Sequence, residues 1–100
     1  MNAKTNDYIT KVAKVIESNK KVTKAVVFGN ALDDNFDFED NIYIAIFTKA
    51  DNNFIDIFSD LNEALVLKNL AKVDLYMMSD PDFYVNVIDE LESGLVIVNR

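Results

Sequence analysis

The sequence predicts an α/β (α+β) fold, a small mixed β-sheet with helices packed mainly on one face. Three observations carry this. Several stretches repeat apolar residues at helical spacing, several shorter ones are β-rich and end in turn residues, and the two kinds interleave along 100 residues. The expected order is helix, strand, strand, helix, strand, helix, short strand, within one domain spanning residues 1–100.

Tyr8, Val12 and Val15, flanked by Ile9 and Ile16, recur at helical spacing across NDYITKVAKVIES, with lysines on the wet face. They predict a first amphipathic helix. KAVVFG, Lys24 to Gly29, is a buried strand that Gly29 turns. From Asn30 to Asp40 runs the longest irregular stretch, a length that beside a strand end is often functional. In NIYIAIF, Ile42, Ile44 and Ile46 alternate with Tyr43, Ala45 and Phe47, and apolar residues on both faces predict a central strand.

Asn53 is a helix cap, and Phe54, Ile57, Phe58, Leu61 and Leu65 share one face of a helix expected to reach about Asn69. KVDLYMM, Lys72 to Met78, is a third strand carrying one acid, Asp74, which there needs a partner or a function. The Met77–Met78 pair is read as core or sheet-edge packing. Asp80 caps the last helix, with Pro81 at its first position, Tyr84, Val87, Ile88 and Leu91 along its apolar side, and Gly94 past its end. LVIVN closes the chain as a short segment packed back on the sheet.

Composition narrows the chemistry. Half the residues are hydrophobic, with two glycines and one proline, the profile of a regularly structured domain. There is no cysteine and no histidine, so disulfides, thiolate sites, Zn–His coordination and imidazole acid–base catalysis are excluded; any metal must sit on oxygen. Net charge is −7, and Ala25 to Thr48 contains no Lys or Arg but holds Asp33, Asp34, Asp37, Glu39 and Asp40. Direct nucleic-acid binding is not expected from such a chain. A basic protein or a divalent cation is its natural complement, although a run of acids is most simply a solvated loop. No stretch has the length of a signal peptide's apolar region or a membrane helix, so a cytoplasmic location and no membrane partner are expected.

VVFGN, DNIYIAIF, KVDLYMMSDPDF and ELESGLVIVN, in that order, resemble the minimal nucleotidyltransferases of the polymerase-beta-like nucleotidyltransferase superfamily over about Lys21 to Asn99. In that family a strand ends in Gly-Ser, the next carries Asp-x-Asp, and a third acid follows in a VDL context. The resemblance implies a nucleotide cleft at Gly29, Asn30, Asn41 and Tyr43, with Asp74 the catalytic remnant. Asp-x-Asp works because residues two apart on a strand face the same way and can share a Mg²⁺ ion. Asn41 and Tyr43 occupy the two aspartate positions here, so two anionic ligands of a hard cation are replaced by an amide and a phenol. Asp37 and Glu39 keep an Asp-x-Glu spacing and, with Asp74, are the candidates for a displaced metal site; no bound metal or cofactor is otherwise expected. Asp74 also reads as an acid capped by the Tyr43 hydroxyl or the Asn41 amide, and Tyr43 as a filler of the former cleft.

Two functions follow from the resemblance. One is a catalytically inactive nucleotidyltransferase-fold protein that binds a protein partner, as an antitoxin pairs with a helical HEPN-class toxin. The other is an active transferase using Mg²⁺ and ATP to modify a protein or small-molecule hydroxyl. A nucleotide sensor without turnover and a homodimer through exposed strand edges or helix faces are further readings.

Overall fold

A computed structural model describes residues 1–49 and 53–100. The elements are α1 (Ala3–Glu17), β1 (Val22–Phe28), β2 (Ile42–Thr48), α2 (Phe54–Leu67), β3 (Val73–Met77), α3 (Pro81–Val87) and β4 (Leu95–Asn99), with 3-10 segments at Gly29–Leu32 and Ile88–Ser93. Their order is the predicted one. The 3-10 turn shortens the expected irregular loop, and the second 3-10 segment takes over the end of the last helix.

The sheet order is β3-β2-β1-β4. β1 is antiparallel to both β2 and β4, while β2 and β3 run parallel, joined by the crossover that contains α2. This makes β2 a central strand, as its two apolar faces require. Ile42, Ile44 and Ile46 are wholly buried in one layer with Ala25, Val27, Val73, Leu75 and Met77, beneath α1 and α2. Val26, Phe28, Ala45, Met78 and Val87 form a second, smaller cluster on the opposite face, where α3 and the following 3-10 segment lie. Met77 and Met78 thus serve one core each.

α1 starts ahead of its apolar repeat because Asn2 caps it: the side-chain oxygen accepts from Thr5 N at 2.8 Å. The Asn2 amide also donates to the carbonyls of Asp34 and Phe36, at 3.0 and 2.9 Å, fastening the acidic loop to the helix start. The Met1 ammonium donates to Asp34 at 2.7 Å, and this bond with its charge holds the Asp34 carboxyl below the usual carboxylate range. The buried stripe of α1 is Thr5, Ile9, Val12 and Ile16; Tyr8 and Val15 are its half-buried margins. At the other end, the Arg100 guanidinium donates to the carbonyls of Glu17, Asn19 and Val22, placing positive charge at the helix C-terminus and tying the end of β4 to it.

α2 begins at the expected cap, Asn53, whose side chain accepts from Ile55 N at 3.0 Å. Ile57, Leu61 and Leu65 are buried, whereas Phe58 is 40% exposed, since that side of the helix overhangs β3, the edge strand. The helix ends two residues before Asn69, which adopts φ 58 and closes it: Leu70 N donates to Leu65 O at 2.8 Å and Asn69 N to Val66 O at 3.0 Å. These are the two bonds of a Schellman cap, and Leu70 returns to the core beside Leu65. Gly94 serves a different need. A Cβ there would lie 2.5 Å from Val26 Cγ1 and 2.8 Å from the Val27 carbonyl, so the turn into β4 lies directly on β1.

Gly94→Ala is therefore expected to lower unfolding free energy by about 1–3 kcal/mol, read by urea denaturation, because rigid backbone cannot yield to the methyl. Asn69→Gly should match or exceed the parent's stability, and Asn69→Val should lose roughly 1–2 kcal/mol, since only the former accepts a left-handed backbone freely.

Candidate functional site

Parallel pairing sets Tyr43 beside Asp74, and antiparallel pairing sets Phe28 beside Tyr43. One row across the sheet therefore reads Phe28, Tyr43, Asp74. The next row reads Val26, Ala45, Tyr76 on the same face, because residues two apart share a face. Small Ala45 sits between larger neighbours in the cluster that also holds Val87.

The aromatic side chains of this face meet one another. Ring centroids are 5.8 Å apart for Phe28–Tyr43, 5.3 Å for Phe28–Tyr76, 5.8 Å for Tyr43–Tyr76 and 5.4 Å for Tyr76–Phe83. Edge-to-face geometry dominates, which suits the ring quadrupoles. Tyr43 also lies against the backbone turn that follows β1: Gly29 has φ 81, and a Cβ on it would be 3.0 Å from Tyr43 Cδ2. Gly29 is needed here twice, for its left-handed backbone and for the tyrosine ring above it.

These residues line a cavity of about 400 Å³ whose walls include Gly29, Asn30, Tyr43, Tyr76 and Glu90. Three of the four cleft residues expected from sequence, Gly29, Asn30 and Tyr43, thus come together. Asn41 stands beside them rather than in the wall, its amide donating to Asp74 Oδ1 at 3.0 Å. That bond is the expected cap of Asp74, made by the amide. Asp74 itself is exposed.

Asp37 and Glu39 do not join Asp74. No group of three or more carboxylates placed to hold a metal exists among the described residues. The physical reason lies in Phe38, which takes φ 65 and turns its ring onto Tyr8, 5.1 Å away, and Phe36, 5.0 Å away. These rings pack against the core under α1, so the loop is drawn to the helical side while Asp74 faces the other side of the sheet. Asp37 is occupied locally, accepting from Glu39 N at 3.2 Å.

Phe28, Tyr76, Phe83 and Glu90 were not among the sequence candidates. Tyr76 was legible in part, since it follows Asp74 by two on one strand and must share its face. Glu90 and Phe83 reach the cleft from the last helical segment, across a packing that no local pattern reports.

The electrostatics of the cleft are negative. Burial, then the charge of Asp74, then Tyr43 and Glu90, push the Tyr76 phenol above its ordinary value of 10.0. It stays protonated at neutral pH and offers a hydroxyl, not a base. Lysines gather elsewhere: Lys4, Lys11, Lys68 and Lys72 surround a second concavity of about 490 Å³, with Tyr8 and Phe38, beside α1. Positive charge is thus gathered away from the cleft, with Asp7, paired to Lys11 at 3.4 Å, sharing that concavity.

No protein-family model and no curated protein matches the chain. Among the described residues no helix is long and apolar enough to cross a membrane.

In a spectrophotometric titration at 295 nm, one tyrosine is expected to ionise later than free phenol, and Tyr76→Phe should remove that late step. Because the folded value is the higher one, the contribution to stability is complete below the ordinary value and is lost as pH rises from there through the raised folded value, since the unfolded chain ionises first. The parent should accordingly lose more stability than Tyr76→Phe above about pH 10.

Proposed function

We propose that this chain is a nucleotidyltransferase-fold protein without transferase chemistry, acting through binding to another protein. The observation that carries this reading is the position of Tyr43. Where the Asp-x-Asp pattern would set a carboxylate beside the third acid, a phenol ring lies over Gly29 and against Phe28 and Tyr76. Its neighbour Asn41 spends its amide on Asp74, which leaves one carboxylate where a nucleotidyl transfer needs a set to hold Mg²⁺. A triphosphate would also meet Glu90 and Asp74 with no lysine or arginine in the cleft wall among the described residues.

The partner that suits an acidic domain is a basic protein, and a helical HEPN-class ribonuclease is the pairing that the resemblance supplies. Acidic residues across the interface would speed encounter and discriminate against other acidic surfaces. Apolar surface is available beside them: Phe54, Ile55, Phe58, Leu75, Met77 and Phe83 line a groove of about 240 Å³ at the β3 edge. Ile55, on α2, is 63% exposed there, next to β3, whose outer edge has no strand partner among the described residues.

Purified protein is expected to transfer no nucleotide from any of the four ribonucleoside triphosphates with Mg²⁺ or Mn²⁺, on its own or with a candidate protein acceptor. Mg²⁺-dependent transfer that Asp74→Ala abolishes would establish the active-enzyme reading instead. Restoring both carboxylates, Asn41→Asp with Tyr43→Asp, should create Mn²⁺ binding detectable by paramagnetic broadening that the parent lacks, at a stability cost of about 2–4 kcal/mol from the lost ring.

A further inference from the structure

The cleft carries a chemistry of its own, independent of whether a nucleotide was ever its ligand. Its wall is aromatic, from Phe28, Tyr43, Tyr76 and Phe83, with ring centroids 5.3 to 5.8 Å apart. Its rim offers the amides of Asn30 and Asn86 and the carboxylate of Glu90. Asp74 stands one strand over from Tyr43 in the same row. No cationic side chain lines the cavity among the described residues.

We propose that this cavity is a binding site for an organic cation, an alkylammonium or guanidinium group. Aromatic faces are the negative poles of their quadrupoles and attract a cation within about 6 Å, most strongly when it is weakly hydrated. Carboxylates at the rim add attraction without requiring full desolvation, and amide oxygens accept the N–H bonds of a primary ammonium or guanidinium. An anion would find the opposite of each feature. The Tyr76 phenol, in the cavity wall, is pushed up first by burial and then by the charges of Asp74 and, less, of Tyr43 and Glu90, so the field of the two carboxylates reaches the wall. A cavity of about 400 Å³ admits a small quaternary ammonium compound or the end of one Lys or Arg side chain, so the cation has two sources, a free metabolite-sized molecule or a protein. A neutral planar base could stack on the same rings, but it would draw nothing from the carboxylates.

The test is NMR titration of the whole chain with choline, with methylguanidinium, and with 3,3-dimethylbutan-1-ol, the neutral counterpart of choline with the same shape. A saturable upfield shift of the choline methyl signal is expected, with the neutral alcohol roughly tenfold weaker or more. Glu90→Gln, an exposed position, should weaken the cations about threefold and leave the alcohol unchanged. Tyr76→Phe should preserve cation binding, because the ring face remains, and Tyr76→Leu should abolish it. A short Gly/Arg/Lys peptide that binds tighter than choline, with its Gly/Ala counterpart silent, assigns the cation to a protein; the reverse order assigns it to a small molecule, and either supports the site. Equal binding of the neutral alcohol, binding of adenosine in place of the cations, or no response to any of them overturns it. These readouts are separate from nucleotide turnover, so the enzyme and cation questions fail or stand on different data.

Discussion

The two-sided burial of β2 is the constraint on which the rest of the structure depends. With β1 on one edge and β3 on the other, this strand has no solvent side along its middle, and Ile44, Ala45 and Ile46 are wholly buried. Every neighbour takes its place from it. Ile42, Ile44 and Ile46 need the layer of α1 and α2 on one face, while Tyr43, Ala45 and Phe47 need cover on the other, which α3 and its 3-10 extension supply only in part. The uncovered portion is the cleft. A carboxylate at residue 43 would have to be held in that setting by a metal ion or other partner, whereas the Tyr43 ring satisfies it by packing alone.

Much of this was legible locally. β2 declared itself by strict alternation of apolar residues on both faces; Asn53 and Asp80 with Pro81 marked helix starts by residue chemistry that works within a turn. Other features were ambiguous for definable reasons. Tyr8, Val12 and Val15 fit one face of α1 as well as Ile9, Val12 and Ile16 do, and the choice between them is made by which stripe the sheet covers, with Thr5 included although it is polar. Phe58 has the spacing of a core residue but faces beyond the sheet edge, and sheet width is invisible to a helix's own periodicity. The capping role of Arg100 joins residues up to 83 apart in sequence, so no window along the chain contains it.

The cleft divides in the same way. Gly29, Asn30 and Tyr43 come from the resemblance to the Gly-Ser and Asp-x-Asp strands, and the Asn41–Asp74 bond is one of the two caps left open for Asp74, the other being the Tyr43 hydroxyl. The aromatic character of the site was not legible, because Phe28, Tyr43 and Tyr76 lie on three strands and acquire a common wall only through register. Asp37 and Glu39 illustrate the converse. Their spacing is that of a ligand pair, yet the residue between them is a phenylalanine that packs half-buried against the core, and its ring pulls the segment to the α1 side. Charge spacing in a loop is subordinate to where the loop's apolar residue goes.

Asp74 bears on how much a single acid says about chemistry. It sits on an edge strand with its side chain in solvent, so keeping it charged carries little desolvation cost, and the Asn41 amide satisfies one of its oxygens. An acid at that position is compatible with the fold whether or not anything is transferred there. Tyr43 is different, because the central strand presents it between Phe28 and Tyr76 and over Gly29, where its shape is engaged on three sides. The residue that packing constrains here is Tyr43, not Asp74, and an aromatic ring at that place is held by its neighbours with no ligand required.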